Sequence, residues 1–305
     1  MMKRFLCGVM ATALVVASVG VASTDADAAT KVPKAKYTFN MNKKNKKVVA
    51  VARKGENSNY AVVTTNKGYE GGSLPKASNA KKVKLKYKKG KHGKALYLDR
   101  KSSYGAQLKG VKLGSKSWTV SFWVKPDNNV TDYMSMFFTG SNITNVKKTK
   151  WISITKASWL DGGHTPTIWS HNASLDKGDD NLHFPWFSYQ NADGDWLGAK
   201  NDAKAMAINK GKWSYVTLAV DTKDTCEYGT AGENGYVKSY HAWCYVNGEL
   251  YGNGTVAKNS MSNKNLFFLG INAWDTPFKG YFDDVQLWNK ALTAKQVKAL
   301  YKKMK

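Results

Sequence analysis

The residues whose types and spacing could do chemistry crowd into one stretch, 151–196. It holds Trp151, Trp159, Trp169, Trp186 and Trp196, together with Phe184, Phe187, Tyr189, His164, His171 and His183. Interspersed among them are Asp161, Asp176, Asp179, Asp180, Asp193 and Asp195. A sugar presents apolar C–H faces rimmed by hydroxyls, so a site for one needs flat aromatic platforms beside groups that donate and accept hydrogen bonds. This stretch supplies both. Each tryptophan also has a competing role as core filler, because large aromatic side chains dominate the interiors of big β proteins too. Trp159, Trp186 and Trp196 sit near polar or glycine-rich turns, which favours the site for these three. Tyr189, Asp193 and Asp195 complete the candidate ligand-binding set.

Catalytic patterns are absent from the sequence. There is no G-x-S-x-G and no H-E-x-x-H, and Lys91-His92-Gly93-Lys94 does not follow P-loop spacing. The histidines, His92, His164, His171, His183 and His241, lack zinc-ligand spacing and read as surface or loop residues. Retaining glycoside hydrolysis needs two carboxyl groups about 5 Å apart. The nearest candidates are Asp179-Asp180 and Asp193-Gly194-Asp195, but adjacent aspartates in a strand point to opposite faces. Beyond the N-terminal Cys7, the cysteines are Cys226 and Cys244, an even pair. In an exported chain they read as a disulfide, with two unpaired thiols as the alternative.

Charge gives a second theme. The formal net charge is +25, almost all of the excess is lysine, and the arginines are Arg4, Arg53 and Arg100. Specific base readout favours arginine forks, so this composition argues against sequence-specific nucleic-acid binding. It suits diffuse, salt-sensitive attraction to an anionic surface such as a cell-wall polymer. The densest run is Lys81-Lys82-Val83-Lys84-Leu85-Lys86-Tyr87-Lys88-Lys89. Val83, Leu85 and Tyr87 alternate with lysines, as in a strand with one apolar and one solvated side. No aromatic residue interleaves the lysines on its charged side, so a solvated outer face competes with a dedicated polyanion site.

The N-terminus reads as an export signal over residues 1–29. Lys3 and Arg4 precede an apolar run, and Ala26-Asp27-Ala28 offers a small-residue cleavage site. An uncleaved anchor is the alternative, since the run is just long enough to span a bilayer. No second long apolar run follows, so no membrane span is expected after cleavage and the expected location is extracellular. Residues 30–36 read as a short basic linker. The remainder, 37–305, reads as a single domain without linker or internal repeat.

The elements that must position these residues are strands. Strand-like runs recur at 95–98, 118–124, 133–139, 151–155, 167–170, 184–189, 213–220, 240–246, 266–271 and 281–288, separated by Asn, Asp, Gly and Lys clusters. This is an all-β pattern, a sandwich or jelly roll. In 118–124, Trp118, Val120, Phe122 and Val124 share one face, and Thr119, Ser121 and Trp123 the other. One helix closes the chain: Thr293 and Gln296 form a capping box, Leu292 and Val297 a hydrophobic staple, and Val297, Leu300 and Tyr301 an apolar stripe.

Four segments, GKALYLDRKSSYGAQL (93–108), SWTVSFWVKP (117–126), KWSYVTLAVD running on to WCYVNGELYG (212–252) and LFFLGINAWDTPFKGYFDDVQLWNKALTAKQVKALY (266–301), resemble in order the motifs of laminin G-like domains of the concanavalin A-like lectin/glucanase superfamily. The resemblance implies a two-sheet antiparallel jelly roll with a curved, often ligand-binding face, and a lectin-like protein that binds carbohydrate. Two departures are Arg100, where the family usually has glycine, and a long 140–212 segment. Glucanases of the superfamily carry an E-x-D-x-E strand, whereas the glutamates here are Glu56, Glu70, Glu227, Glu233 and Glu249, none so arranged. The resemblance therefore implies binding without catalysis, with a divergent hydrolase as an alternative. It also implies calcium as a possible cofactor. Asp283 matches the family's aspartate after the final Gly-aromatic step, and period-2 parity puts it on the aliphatic face of Tyr281, Val285 and Leu287. A carboxylate there must find partners, either a calcium ion or structural hydrogen bonds. The Asp193-Gly194-Asp195 turn is the second metal candidate.

Overall fold

The computed structural model describes residues 30–42, 44–53, 74–99, 104–127, 134–141, 150–157, 165–172, 208–228, 237–273 and 275–305. Among these residues the strands are β1 (Tyr37–Phe39), β2 (Val48–Ala52), β3 (Lys86–Lys89), β4 (Lys94–Leu98), β5 (Tyr104–Leu108), β6 (Trp118–Pro126), β7 (Met134–Ser141), β8 (Lys150–Ala157), β9 (Thr165–Asn172), β10 (Ser214–Tyr228), β11 (Val237–Val246), β12 (Glu249–Ala257), β13 (Leu266–Leu269), β14 (Thr276–Pro277) and β15 (Gly280–Trp288), followed by helix α1 (Ala294–Met304). One sheet runs β12-β11-β10-β6-β15-β4-β3, with β1 added against β15. The other runs β2-β5-β13-β7-β8-β9, with β14 added against β7. The sheets form an antiparallel sandwich, and the predicted strand at 184–189 and the predicted signal segment 1–29 lie outside the described residues.

Period-2 alternation builds the interior. Trp118, Val120, Phe122 and Val124 of β6 join Ile152 and Ile154 of β8 and Phe267 and Leu269 of β13 in a core that draws on both sheets. Val83, Leu85 and Tyr87 pack against that core as the alternation predicts, although ladder pairing begins only at Lys86. The Asn247-Gly248 turn joins β11 to β12 with φ values of 53° and 81°, the left-handed pair that a two-residue hairpin loop requires.

The outer side of the eight-stranded sheet is partly covered by α1. Thr293 Oγ1 accepts from the Gln296 amide at 3.3 Å, and Gln296 Oε1 accepts from the Thr293 amide at 3.1 Å, closing the predicted capping box. Leu292, Val297 and Leu300 then bury against Trp123, Tyr215, Ala219, Tyr245 and Trp288. Residues 30–36, expected as a linker, are docked instead. Val32 and Ala35 pack on this cluster, Trp288 Nε1 donates to the Pro33 carbonyl at 2.8 Å, and the Lys36 amide donates to Leu287.

The disulfide expectation is corrected by strand register. Cys244 lies opposite Leu218 on β10, whereas Cys226 lies opposite Ser239, five positions along β11. At about 3.3 Å per residue that separates the two by roughly 16 Å, well beyond a disulfide's reach of about 7 Å between Cα atoms. Cys244 is a free, fully buried thiol in the main core, and burial pushes its pKa up. In a Cys226→Ser background, native Cys244 is expected to resist thiol-reactive reagents until the protein is denatured. The parent's Tm is expected to be the same with and without reductant; a drop on reduction would restore the disulfide.

Candidate functional site

The predicted ligand residues Trp159, Trp186, Tyr189, Asp193, Asp195 and Trp196 lie outside the described residues. The structure does show the elements that hold the two ends of their segment. β8 ends at Ala157, two residues before Trp159, and pairs with β9, the edge strand of the seven-stranded sheet. The chain leaves β9 at Asn172 and returns at Ile208, which is buried in the core just before β10 of the opposite sheet. Trp151, on β8, takes the competing role: it is 1 % exposed and packs with Val51, Leu74, Phe138, Phe268, Ile271 and Ala273.

Because Ile152 and Ile154 face the core, Trp151, Ser153 and Thr155 face the outer side of the sheet. Register sets Ser135 of β7 opposite Thr155, and all three hydroxyl side chains are fully buried. They adjoin the loop between β13 and β14, where Asn272 acts as a hub. Its Nδ2 donates to Ser153 Oγ at 3.3 Å and to Asp275 Oδ2 at 2.6 Å, and its Oδ1 accepts from the Asp275 amide at 2.6 Å. Arg53, just past β2, donates from Nη1 to the Asp275 carbonyl at 3.1 Å. An outer sheet face is usually wet or aliphatic; this one combines buried hydroxyl, amide, carboxyl and guanidinium groups with an indole-containing apolar cluster. Sequence reasoning missed Arg53, Ser135, Ser153, Thr155, Asn272 and Asp275. The available signal was weak, since Asn and Asp three apart after a strand also describe an ordinary turn.

Burial pushes the Asp275 carboxyl up to about 7, against the Asn272 hydrogen bond and the Arg53 charge; part of the residue remains accessible even so. Burial likewise pushes Asp283 up to about 6 and pulls Lys156 down to about 8. The signs follow from linkage. A raised carboxyl contributes stability that is complete below its unfolded value near 4 and is lost as pH rises through the folded value. A lowered lysine makes stability rise between about 8 and its ordinary value of 10.5. Between pH 4 and 7 the parent should therefore lose stability, relative to an Asp275→Asn variant, as pH increases. Denaturant midpoints measured for both proteins at pH 5 and pH 8 check this; a parent-minus-variant difference independent of pH would contradict it.

Asp283 is not on the aliphatic face. A bulge at Asp284 (φ 43°) places Asp284 and Val285 against the single residue Phe122, because Asp283 pairs with Trp123 and Gln286 with Ser121. Phe282, Val285 and Leu287 therefore point inward, while Tyr281 and Asp283 share the outer side with Trp123. There Asp283 is 1 % exposed, and its Oδ2 accepts from the Lys91 and His92 amides at 3.0 Å each. Its Oδ1 accepts from the Asp284 amide at 3.0 Å. Calcium requires six to eight oxygen ligands, whereas N–H donors converge on this carboxylate. Among the described residues no group of three His, Cys, Asp or Glu side chains is arranged to hold a metal. The surroundings of Asp283 do not fit calcium; it is a hydrogen-bonded anchor for the β3–β4 turn. The Asp193-Gly194-Asp195 turn lies outside the described residues.

A family profile described as the concanavalin A-like lectin/glucanases superfamily, of laminin G type, matches residues 100–298, more than half of the sequence. The chain belongs to that family. A search of curated protein sequences gives no match. Among solved structures the chain is similar to domain 4 of AbnA, a GH43 extracellular arabinanase from Geobacillus stearothermophilus, in complex with arabinotriose. The identity is 25%, with 72% of this chain and 82% of that one covered and a TM-score of 0.46. It is also similar to a heptameric SAP-like pentraxin from Limulus polyphemus, at 18% identity with 61% and 70% covered and a TM-score of 0.35. A third is the CBM40 of Ruminococcus gnavus IT-sialidase bound to alpha2,3 sialyllactose, at 11% identity with 62% and 84% covered and a TM-score of 0.40. Among the described residues no helix is long and apolar enough to cross a membrane.

Proposed function

We propose that this chain is a secreted, non-catalytic, lectin-like protein that binds a carbohydrate through the segment joined to the β8–β9 edge of the seven-stranded sheet. Trp159, Trp186, Trp196 and Tyr189 would supply stacking platforms, and Asp193 and Asp195 hydrogen-bonding groups. The observation that carries this reading is that β8 ends at Ala157, two residues before Trp159, so the aromatic- and aspartate-rich stretch is joined to the β8–β9 edge of the sheet. Membership of a lectin/glucanase superfamily supports it at the level of fold. Export rests on the N-terminal segment. The non-catalytic assignment rests on the absence of an E-x-D-x-E strand and on Asp275, whose carboxylate is held by an amide where a retaining pair needs a second carboxylate about 5 Å away.

A polysaccharide panel tests the proposal. Retention on at least one neutral or acidic glycan without release of reducing sugar is expected. Sugar release abolished by Asp193, Asp195 or Asp275 changes would make the protein a hydrolase instead. Attachment to isolated cell walls that moderate salt reverses and no glycan competes would make it an adhesion protein held by lysine electrostatics on an anionic wall polymer.

A further inference from the structure

We propose that the outer face of the eight-stranded sheet at its β3 edge, which no other described element covers, is a second binding surface, for an acidic polysaccharide. The lysine run 81–89 has no aromatic residues on its charged side in sequence, but the sheet supplies them from neighbouring strands. Since Val83, Leu85 and Tyr87 turn inward, Lys84, Lys86 and Lys88 are exposed on the outer face. Register then lays out one cross-strand row: Lys86 of β3 faces Tyr97 of β4, Tyr97 faces Tyr281 of β15, and Tyr281 faces Lys125 of β6. Trp213 extends the row, as the residue preceding the Ser214–Val124 pair of β10 and β6.

The side chains of this row interleave cation and ring. Lys88 Nζ lies 3.5 Å from the Tyr97 ring centroid, and Lys125 Nζ lies 4.2 Å from that of Tyr281 and 5.2 Å from that of Trp213. The Tyr97 and Tyr281 rings are 4.7 Å apart, and those of Trp213 and Tyr281 are 6.0 Å apart. The local carboxylates are already committed: Asp99 pairs with Lys86 at 2.5 Å, and Asp127 accepts from the Tyr97 hydroxyl at 2.8 Å. Lys84, Lys88 and Lys125 have no carboxylate partner among the described residues. Tyr281, Trp213 and Lys125 remain partly exposed, while Tyr97 is largely covered.

This combination selects its occupant. A neutral glycan has no use for the ammonium groups, and an inorganic polyanion has no use for the rings. A sugar polymer carrying carboxylates or sulfates uses both, stacking C–H faces on Trp213 and Tyr281 while Lys88 and Lys125 leave their rings to pair with its acid groups. Single-stranded nucleic acid offers stacking and charge too, but a lysine-only surface lacks the bidentate forks that hold phosphate best. The surface belongs to the sheet opposite the one discussed under the proposed function, and does not depend on that reading.

Affinity electrophoresis of the intact protein through gels containing polygalacturonate tests the assignment, with arabinan, polyphosphate and oligodeoxythymidylate as comparison probes. The parent should be retarded by polygalacturonate, less so at raised salt, and more than by any comparison probe. A Lys88→Glu/Lys125→Glu variant and Trp213→Ala, each with parental Tm, should each bind about tenfold or more weakly. Lys125→Gln replaces the charge reversal if the double variant does not fold. Parental retardation of these variants would overturn the proposal. So would equal binding of polyphosphate or oligodeoxythymidylate that Trp213→Ala leaves unchanged. Loss of binding in Trp159, Trp186 and Trp196 variants alone would locate acidic-glycan binding on the other sheet, and would also overturn it.

Discussion

Replacing Asp283 by alanine is expected to lower the stability of the fold by about 3–5 kcal/mol, the cost typical of leaving buried polar partners uncompensated. Three amides converge on this one carboxylate, from Lys91, His92 and Asp284, and the residue is 1 % exposed, so water cannot easily replace it. Removing it would free the β3–β4 turn and the bulge in β15 together. Space is already filled around it: a Cβ added at Gly90 would come within 2.5 Å of Asp283 Oδ2 and 2.7 Å of the Ala95 amide nitrogen. Asp283→Asn should cost less, about 1–3 kcal/mol, because its amide oxygen can still accept while its NH2 group opposes a donor. Urea unfolding of the parent and both variants measures this. An alanine variant within about 0.5 kcal/mol of the parent, the range of an ordinary surface change, would show that Asp283 is not an anchor. Because burial raises the Asp283 carboxyl to about 6, the gap between parent and the Asn variant should narrow as pH rises through that value.

Gly280→Ala should be comparably damaging, at about 3 kcal/mol or more. Gly280 has φ 146°, where side chains are strained, and it opens a strand paired on both sides, with Leu98 and with Pro126. An added Cβ would stand 2.2 Å from the Lys125 carbonyl oxygen and 3.0 Å from Pro126 Cα. Both are backbone atoms of β6, so relief requires the central strands to part. Thermal melts are expected to show a Tm lowered by several degrees or insoluble expression; a parental Tm would mean that the β15–β6 junction yields easily.

What was legible in the sequence follows from which forces are local. The β6 alternation, the Thr293–Gln296 capping box and the Asn247-Gly248 turn are set by neighbours within a few positions, and each is found where the sequence places it. Period-2 counting gives the wrong phase for the end of β15 because a bulge is invisible to it: one extra residue at Asp284 turns Asp283 from the interior to the outer side. The Cys226–Cys244 expectation failed for a related reason, since sequence proximity to paired strands does not specify register. The Asn272 hub could not be read at all. It depends on Ser153, 119 residues away, and its loop on Arg53, 222 residues from Asp275. The one-sidedness of the lysine run is legible, but its aromatic neighbours come from β4, β15 and the residue before β10, which only the sheet order reveals.

The most direct test of carbohydrate binding at the β8–β9 edge is isothermal titration of the intact protein with the polysaccharide it retains best. The comparison protein is a Trp159→Ala/Trp186→Ala/Trp196→Ala variant of matched Tm. The proposal predicts saturable binding by the parent and a loss of at least about tenfold in the variant, equivalent to 1.4 kcal/mol. Parental affinity in the triple variant would contradict it.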